Sequence, residues 1–214
     1  MEAALASDEL SSAEPTRLRI LRAAETIFAD AGYDGASMRL IAQEADVAQG
    51  LLHYHFSTKE RLFGEVVAWR TEAINGTRHE RLEALGASPE LEEILQALFE
   101  PSMGTNAGGA AYARIMVALA TGGGREQTLV SQHYDATAER FIDAIMEATG
   151  FDRAQAAWGY SLSIHVLMAA MSRTGRTERL AGEKKPASHE KFLTQITRFA
   201  AAGVRALQDD PKQI

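Results

Sequence analysis

Apolar residues recur at three- and four-residue intervals along most of the chain, which is the signature of amphipathic helices. Leu18, Leu21, Ala24, Ile27 and Phe28 form one such face, on a helix expected to open with Thr16 as N-cap, just after Pro15. Gly32 suits the left-handed residue past its end. A second, short helix is expected from Ser37 as N-cap, with Met38, Ile41, Ala42 and Ala45 inward. Asp46 and Val47 interrupt it. A third runs from about Ala48 to Tyr54, its inward set being Val47, Leu51 or Leu52, and Phe56. Ser57-Thr58-Lys59-Glu60 reads as a capping box, with the Ser57 hydroxyl on the N3 amide and Glu60 reaching back. It opens a long helix through Leu62, Phe63, Val66, Val67, Trp69 and Ile74, with a bend expected at Gly76.

Beyond this point helical patterns alternate with glycine-rich breaks. One helix is expected to start at Ser88-Pro89, since proline is tolerated at the first helical position. Gly104–Gly109 and Gly122–Gly124 read as loops. A long amphipathic segment spans about Glu126 to Thr149 and stops at Gly150. Asp152, with Gln155 three residues later, caps a helix running to about Thr174. Gly175 to Ala187 reads as a polar connection, and a last helix runs from Ser188 to about Leu207. No strand-like alternation or internal repeat interrupts the series. The expected fold is all-α with about nine helices: an N-terminal three-helix unit and a larger C-terminal helical one. The expected divisions are a disordered, acidic leader over residues 1–14, a first domain over 15–62, a second over 63–208 and a tail over 209–214.

Composition narrows the function classes. The apolar fraction of 46% supports a sizeable core. Cysteine is absent, which excludes disulfides and any Cys-ligated metal and fits a reducing cytoplasm. Met1 to Glu14 has neither a basic start nor an apolar stretch, so no secretory leader is expected. The most apolar run, Trp158 to Met171, is too short for a bilayer and contains His165, so no membrane association is expected. A net charge of −7 argues against a nucleic-acid partner at first sight. From Pro15 to Phe63, however, Arg17, Arg19, Arg22, Arg39, Lys59 and Arg61 balance Glu25, Asp30, Asp34, Glu44, Asp46 and Glu60. Charge neither supports nor forbids DNA binding there; the local pattern has to decide.

That pattern, from Thr16 to Phe63, is helix, helix, turn, short helix, capped long helix, a helix-turn-helix layout whose second short helix would enter the major groove. It is carried by Ile20-Leu21-Arg22-Ala23-Ala24, Phe28-Ala29, Gly32-Tyr33, Ser37-Met38-Arg39 and Ile41-Ala42. It continues through Ala45, Val47, Leu52, Tyr54-His55-Phe56 and Lys59-Glu60-Arg61-Leu62. In these residues, matched without a gap, the segment closely resembles the TetR family. Two positions depart from that family's usual pattern: Asp46 replaces a common Gly before the recognition helix, and Ala36 a frequent Thr. Aspartate tolerates left-handed geometry better than most residues, so the turn should survive.

Val47, Leu52 and Phe56 would anchor the recognition helix from behind. Gln49, Gly50, His53 and Tyr54 fall on the opposite side. Gln49 can pair with a base edge, most naturally adenine. Gly50 permits close approach, and His53, Tyr54 and His55 can donate to phosphates, although the His55 ring could equally pack under the helix. The resemblance implies phosphate roles for Ser37 and Lys59 at helix starts. Arg39 reads either as a third or as a solvated surface charge. A palindromic double-stranded operator is the implied partner.

The C-terminal two-thirds is similar to the family's regulatory domain in layout and in a few short strings, among them Ala113-Arg114-Ile115 and His165-Val166-Leu167. The subgroup it most resembles includes fatty-acid-responsive repressors. Two broad apolar faces near the end would suit a homodimeric four-helix bundle. One comprises Ala156, Ala157, Tyr160, Ile164, Leu167 and Met168; the other Phe192, Ile196, Phe199, Ala200 and Val204. Packing within one chain is the alternative. Trp69, Phe99, Met103, Tyr112, Met116, Leu119, Tyr134, Phe141, Trp158 and Met168 are candidates for an apolar small-molecule pocket, though each also reads as ordinary core. Arg114, Tyr134 and His165 are the polar groups that would orient an unidentified effector.

An enzyme and a helical scaffold remain as competing classes. His53 and His55, two apart on a helix, point in nearly opposite directions and cannot share a metal. No HExxH, phosphate-binding Gly-Lys loop or GxSxG element occurs. No catalytic residue, metal or cofactor is expected.

Overall fold

A computed structural model of the chain describes residues 15–103, 108–171, 175–182 and 187–208. The expected leader and tail lie outside them. The described residues form ten helices and no strand: α1 Thr16–Gly35, α2 Met38–Glu44, α3 Gln49–His55, α4 Lys59–Glu83 and α5 Leu91–Met103. They continue as α6 Gly109–Thr121, α7 Gly124–Thr149, α8 Arg153–Met171, α9 Arg176–Leu180 and α10 His189–Arg205. The tenth is α9, a single turn inside the segment expected to be a polar connection. It buries no residue, so no apolar periodicity announces it.

The chain divides into two compact units, one ending at Trp69 and the other beginning at Arg70, within α4. In the first unit, Ile20, Leu21, Ala24 and Phe28 of α1 meet Ile41, Ala42, Leu52, Phe56, Leu62, Phe63 and Val66 in a closed core. Phe63 stands edge-on to Phe28 and Tyr33, with ring centroids 4.9 and 5.3 Å away. Leu52 rather than Leu51 is the inward leucine; Leu51 is exposed, because α3 turns only one of two adjacent positions to the core. Val47 is half-buried, a weaker anchor than expected.

Local chemistry explains most helix ends. The Ser37 hydroxyl accepts from the Leu40 amide, as its N-cap role requires. Asp46 takes φ 51°, the left-handed value the turn needs, and its carbonyl accepts from Arg19 Nη2 at 3.2 Å. Gly32 has φ 69°, but the chain resumes helical hydrogen bonding and α1 continues to Gly35 across that kink. Pro15, not Thr16, stands at its N-cap position. The expected capping box at Ser57 shifts by one: Thr58 Oγ1 accepts from the Arg61 amide, so Glu60 is at the wrong position to reach back. Likewise α5 starts after Glu90, whose amide donates to the Glu93 carboxylate, rather than at Ser88-Pro89. By contrast Asp152 and Gln155 do form a reciprocal box, at 2.8 and 3.1 Å. Gly150 ends α7 with φ 72°.

The second unit is a bundle in which α7 packs on α8, α10 on both α5 and α8, and α6 on α7 and α8. Its core joins Leu91, Ile94, Leu95, Leu98 and Phe99 of α5 to Phe141 and Ile145 of α7, Ala156 and Leu167 of α8, and Leu193, Ile196, Ala201 and Val204 of α10. Much of the two late apolar faces is therefore consumed within one chain. Ala156, Leu167, Met168, Ile196, Ala200 and Val204 are all buried.

Candidate nucleic-acid interface and effector cavity

α3 is fastened from behind by Leu52 and Phe56, both buried. The Phe56 ring is also covered by the Arg17 guanidinium, 5.3 Å from its centroid, and Arg17 is held in turn by Glu65 at 2.5 Å. The outer side of α3 then carries Gln49, Gly50, His53 and Tyr54, all exposed. Their spacing places them on one face. Tyr54 is 82% exposed, unusual for an aromatic ring on a well-packed helix. His55 is half-buried, its ring tilted against Phe56 at 6.3 Å, so it partly packs under the helix.

A Cβ built on Gly50 would meet nothing within 4 Å, so internal packing does not demand glycine there. Arg39 is exposed, and the Ser37 hydroxyl proton remains available while its oxygen caps α2. Lys59 is more committed than its sequence position suggests. Nζ donates to the carbonyls of Tyr33 and Ala36 at 2.9 and 3.0 Å and sits 4.4 Å from the Tyr33 ring centroid. It ties the end of α1 to the start of α4, leaving one N–H for an outside partner.

The second unit encloses a cavity of about 270 Å³ among α4, α5, α6, α7 and α8. Of the residues singled out in the sequence for this role, Tyr112, Met116, Tyr134, His165 and Met168 line it, whereas Leu119 and Phe141 are buried away from it. Phe99 and Met103 belong instead to the α5 core, Arg114 and Trp158 face outward, and Trp69 falls in the first unit. Arg78, Ser102, Tyr160 and Met171 were not foreseen as cavity residues, yet they line it.

The polar part of the lining is a hydrogen-bonded network around Thr71, Tyr112 and Tyr134. Thr71 Oγ1 donates to the Tyr134 hydroxyl at 2.9 Å and lies 3.1 Å from that of Tyr112; the two phenols are themselves hydrogen-bonded, and Tyr134 also reaches Met116 Sδ. Burial pushes the Tyr112 phenol well above its ordinary value, with Tyr134 adding to the shift, and raises Tyr134 and Tyr160 as well. All three are neutral near pH 7. Arg78 is 4% exposed. Nε donates to the Leu98 carbonyl at 2.9 Å, Nη1 to Asn75 Oδ1 at 3.0 Å and Nη2 to Ser102 Oγ at 2.8 Å. Burial pulls its pKa below the ordinary guanidinium value, yet an arginine stays charged in a folded protein. Among the described residues no group of three His, Asp or Glu is placed to hold a metal, and no helix is long and apolar enough to cross a membrane.

Comparison with known proteins matches both units. Residues 20–66 match the family described as bacterial regulatory proteins, tetR family, and residues 92–203 match the tetracyclin repressor-like, C-terminal domain. The HTH-type transcriptional regulator UidR of Escherichia coli is 31% identical over 97 residues, covering 45% of this chain and 50% of its own. The HTH-type transcriptional repressor KstR2 of Mycolicibacterium smegmatis is 32% identical over 98 residues, covering 45% and 47%. The chain thus spans about half the length of the curated relatives it matches. The solved structure of the transcriptional regulator FadR from Bacillus subtilis, in complex with stearoyl-CoA, superimposes with a TM-score of 0.66 at 14% identity, over 90% of this chain and 99% of that one.

Proposed function

The chain belongs to the TetR family of bacterial regulators, and on that premise we propose that it is a sequence-specific, DNA-binding transcriptional repressor released from its operator by a small apolar or amphipathic effector. Residues 15–62 serve as the DNA-binding domain and residues 63–208 as the ligand-binding and dimerisation domain. The observation that carries the reading is the face of α3. Gln49, Gly50, His53 and Tyr54 are exposed together while Leu52 and Phe56 anchor the helix from behind. In this reading Gln49 reads a base edge, and Ser37, Arg39, Tyr54, the histidines and the free N–H of Lys59 take phosphates. Catalysis has no part in it.

A homodimer presents two such helices, so the operator is an inverted repeat with half-sites about one helical turn apart. The cavity supports the sensing half of the proposal, being mostly apolar with a few fixed polar groups. An effector acts only through different affinities for DNA-competent and DNA-incompetent shapes, and bound DNA must weaken effector binding by the same factor, of order 5–150-fold.

Titration of the protein against DNA flanking its own gene, and against the same bases scrambled, tests the reading. We expect binding at least about 10³-fold tighter to one inverted repeat than to scrambled DNA at physiological salt. Gln49→Ala should lose roughly 1–3 kcal/mol of discrimination at one base pair per half-site. Equal affinity of the wild-type protein for both DNAs would defeat the repressor reading. Equal losses on both DNAs for Gln49→Ala would shift the reading face to His53 or Tyr54.

A further inference from the structure

Arg78 is the feature of the second unit that packing alone does not explain. It is buried on the polar continuation of the inward stripe of α4, beside Thr71 and Asn75, and no carboxylate among the described residues pairs with it. Its three partners are a carbonyl, an amide oxygen and a hydroxyl, all neutral. A buried cation held only by neutral dipoles is costly compared with an apolar side chain of the same volume. A role limited to bridging α4 and α5 does not call for a permanent charge.

The valences point the same way. A guanidinium carries five N–H groups, one on Nε and two on each terminal nitrogen. One is used at each nitrogen, so Nη1 and Nη2 each keep one N–H with no protein acceptor among the described residues. An end-on bidentate carboxylate takes one donor from each terminal nitrogen. The same side chain lines the cavity, where its neighbours include Ser102 and the hydroxyl-bearing Tyr112, Tyr134 and Tyr160. The rest of the wall is apolar, including Ile74, Met116, Ile164, Leu167, Met168 and Met171. The cavity volume of about 270 Å³ lies just under the usual 300–1,000 Å³ range of small-molecule sites. Exposed Asp135 and His165 are also among the lining residues. A carboxylate belongs away from Asp135, at the buried guanidinium.

Resting on the reading of this cavity as the effector site, we propose that its ligand is a compact organic monocarboxylate, with the carboxylate on Nη1 and Nη2 of Arg78 and an apolar body among the methionines of α6 and α8. A neutral ester, amide or alcohol of the same skeleton offers only uncharged acceptors and leaves the cation uncompensated. The site therefore discriminates by charge before shape.

The test uses the full-length protein and a defined panel: octanoate, decanoate and phenylacetate, each beside its methyl ester and the matching primary alcohol. Binding is read by calorimetry and by the shift in melting temperature. For at least one skeleton the acid should bind tenfold or more tightly than its ester and alcohol, as a charge-assisted pair requires. Arg78→Lys keeps the charge but loses the planar fork, and should weaken the acid about tenfold while leaving the ester within twofold. Arg78→Met should abolish the preference. Should either variant fail to fold, the acid-against-ester comparison in the wild-type protein decides alone. Esters or alcohols binding as well as acids in every pair, or no acid binding at all, overturns the proposal.

Operator affinity measured on the same samples separates the two readings. An acid that binds selectively without changing operator affinity supports the carboxylate site and defeats the sensor role. A neutral ligand that releases DNA does the reverse.

Discussion

At the level of single residues, Gly50 would separate the demands of folding from those of the DNA contact proposed for it. It lies within α3, where glycine costs about 0.8–1.0 kcal/mol relative to alanine, and a Cβ there would touch nothing in the protein. Gly50→Ala should therefore raise the melting temperature while weakening operator binding at least severalfold, as judged by calorimetry and anisotropy titration. An unchanged operator affinity would remove this position from the interface. Lys59, in the proposed reading, would combine the two demands. Its bonds to Tyr33 and Ala36 are charge-assisted and half-buried, so Lys59→Met should lower stability by about 1–3 kcal/mol. If its last N–H also takes a phosphate, the log–log salt slope should fall by about 0.9 per contact, doubled in a dimer. A stability loss with an unchanged slope would make Lys59 a purely structural tie. The sequence marks Lys59 as important through its place at a helix start, but cannot reveal which carbonyls lie beneath it. Those belong to residues more than twenty positions upstream.

At the level of helices, legibility follows the length and regularity of the apolar face. α1, α7, α8 and α10 are readable because each buries one stripe and carries a local stop or start, such as Asp152 with Gln155, Gly150 or Ser188. Errors fall where two adjacent residues could serve the same purpose: Ser57 or Thr58 as cap, Leu51 or Leu52 as anchor. The polar continuation of α4 is the more instructive loss. Val67, Thr71, Ile74, Asn75 and Arg78 keep helical spacing and are all buried, so the inward stripe continues while its chemistry turns from apolar to polar. Periodicity scored on hydrophobicity alone ends at Ile74 and misses the cavity wall. The packing of α8 on α10 offers a further test. A Cβ on Gly159 would lie 3.1 Å from Val204 Cγ1, and Val204 is buried and β-branched, with little rotamer freedom to yield. Gly159→Ala should destabilise by about 1–3 kcal/mol despite its better helix propensity. Gly203→Ala, on the same pair of helices but facing open space, should stabilise by a few tenths to about 1 kcal/mol. Urea melts of the two variants should move in opposite directions. Two matching increases would mean that α8 and α10 are not in close contact in solution.

At the level of the molecule, what the core leaves uncovered is as informative as what it buries. Of the late apolar faces, most of the side chains are consumed inside one chain, but Trp158 and Phe199 remain 64% and 69% exposed, with Leu162 also outward. Trp158 and Leu162 are four residues apart on α8 and so share a face; Phe199 is on α10, which packs against α8. Large side chains this exposed, grouped on two contacting helices, are the pattern of a surface that meets a partner. If the chain reads an inverted repeat, as proposed, that partner would be a second copy, joined isologously by the same face. Leu167, although on α8, is 2% exposed and belongs to the core, so it does not test the interface. Leu167→Glu should unfold the protein outright. Trp158→Glu with Phe199→Glu should instead give a folded monomer, with helical circular dichroism retained and half the mass in light scattering. On dilution of the wild-type protein, Trp158 fluorescence should move to the red as its indole returns to water. The monomer should retain only the salt-dependent, weak affinity of one half-site, because the second recognition helix no longer binds as part of the same molecule. A double variant that kept full dimer mass would place the interface elsewhere, and the exposed tryptophan would then need a different partner.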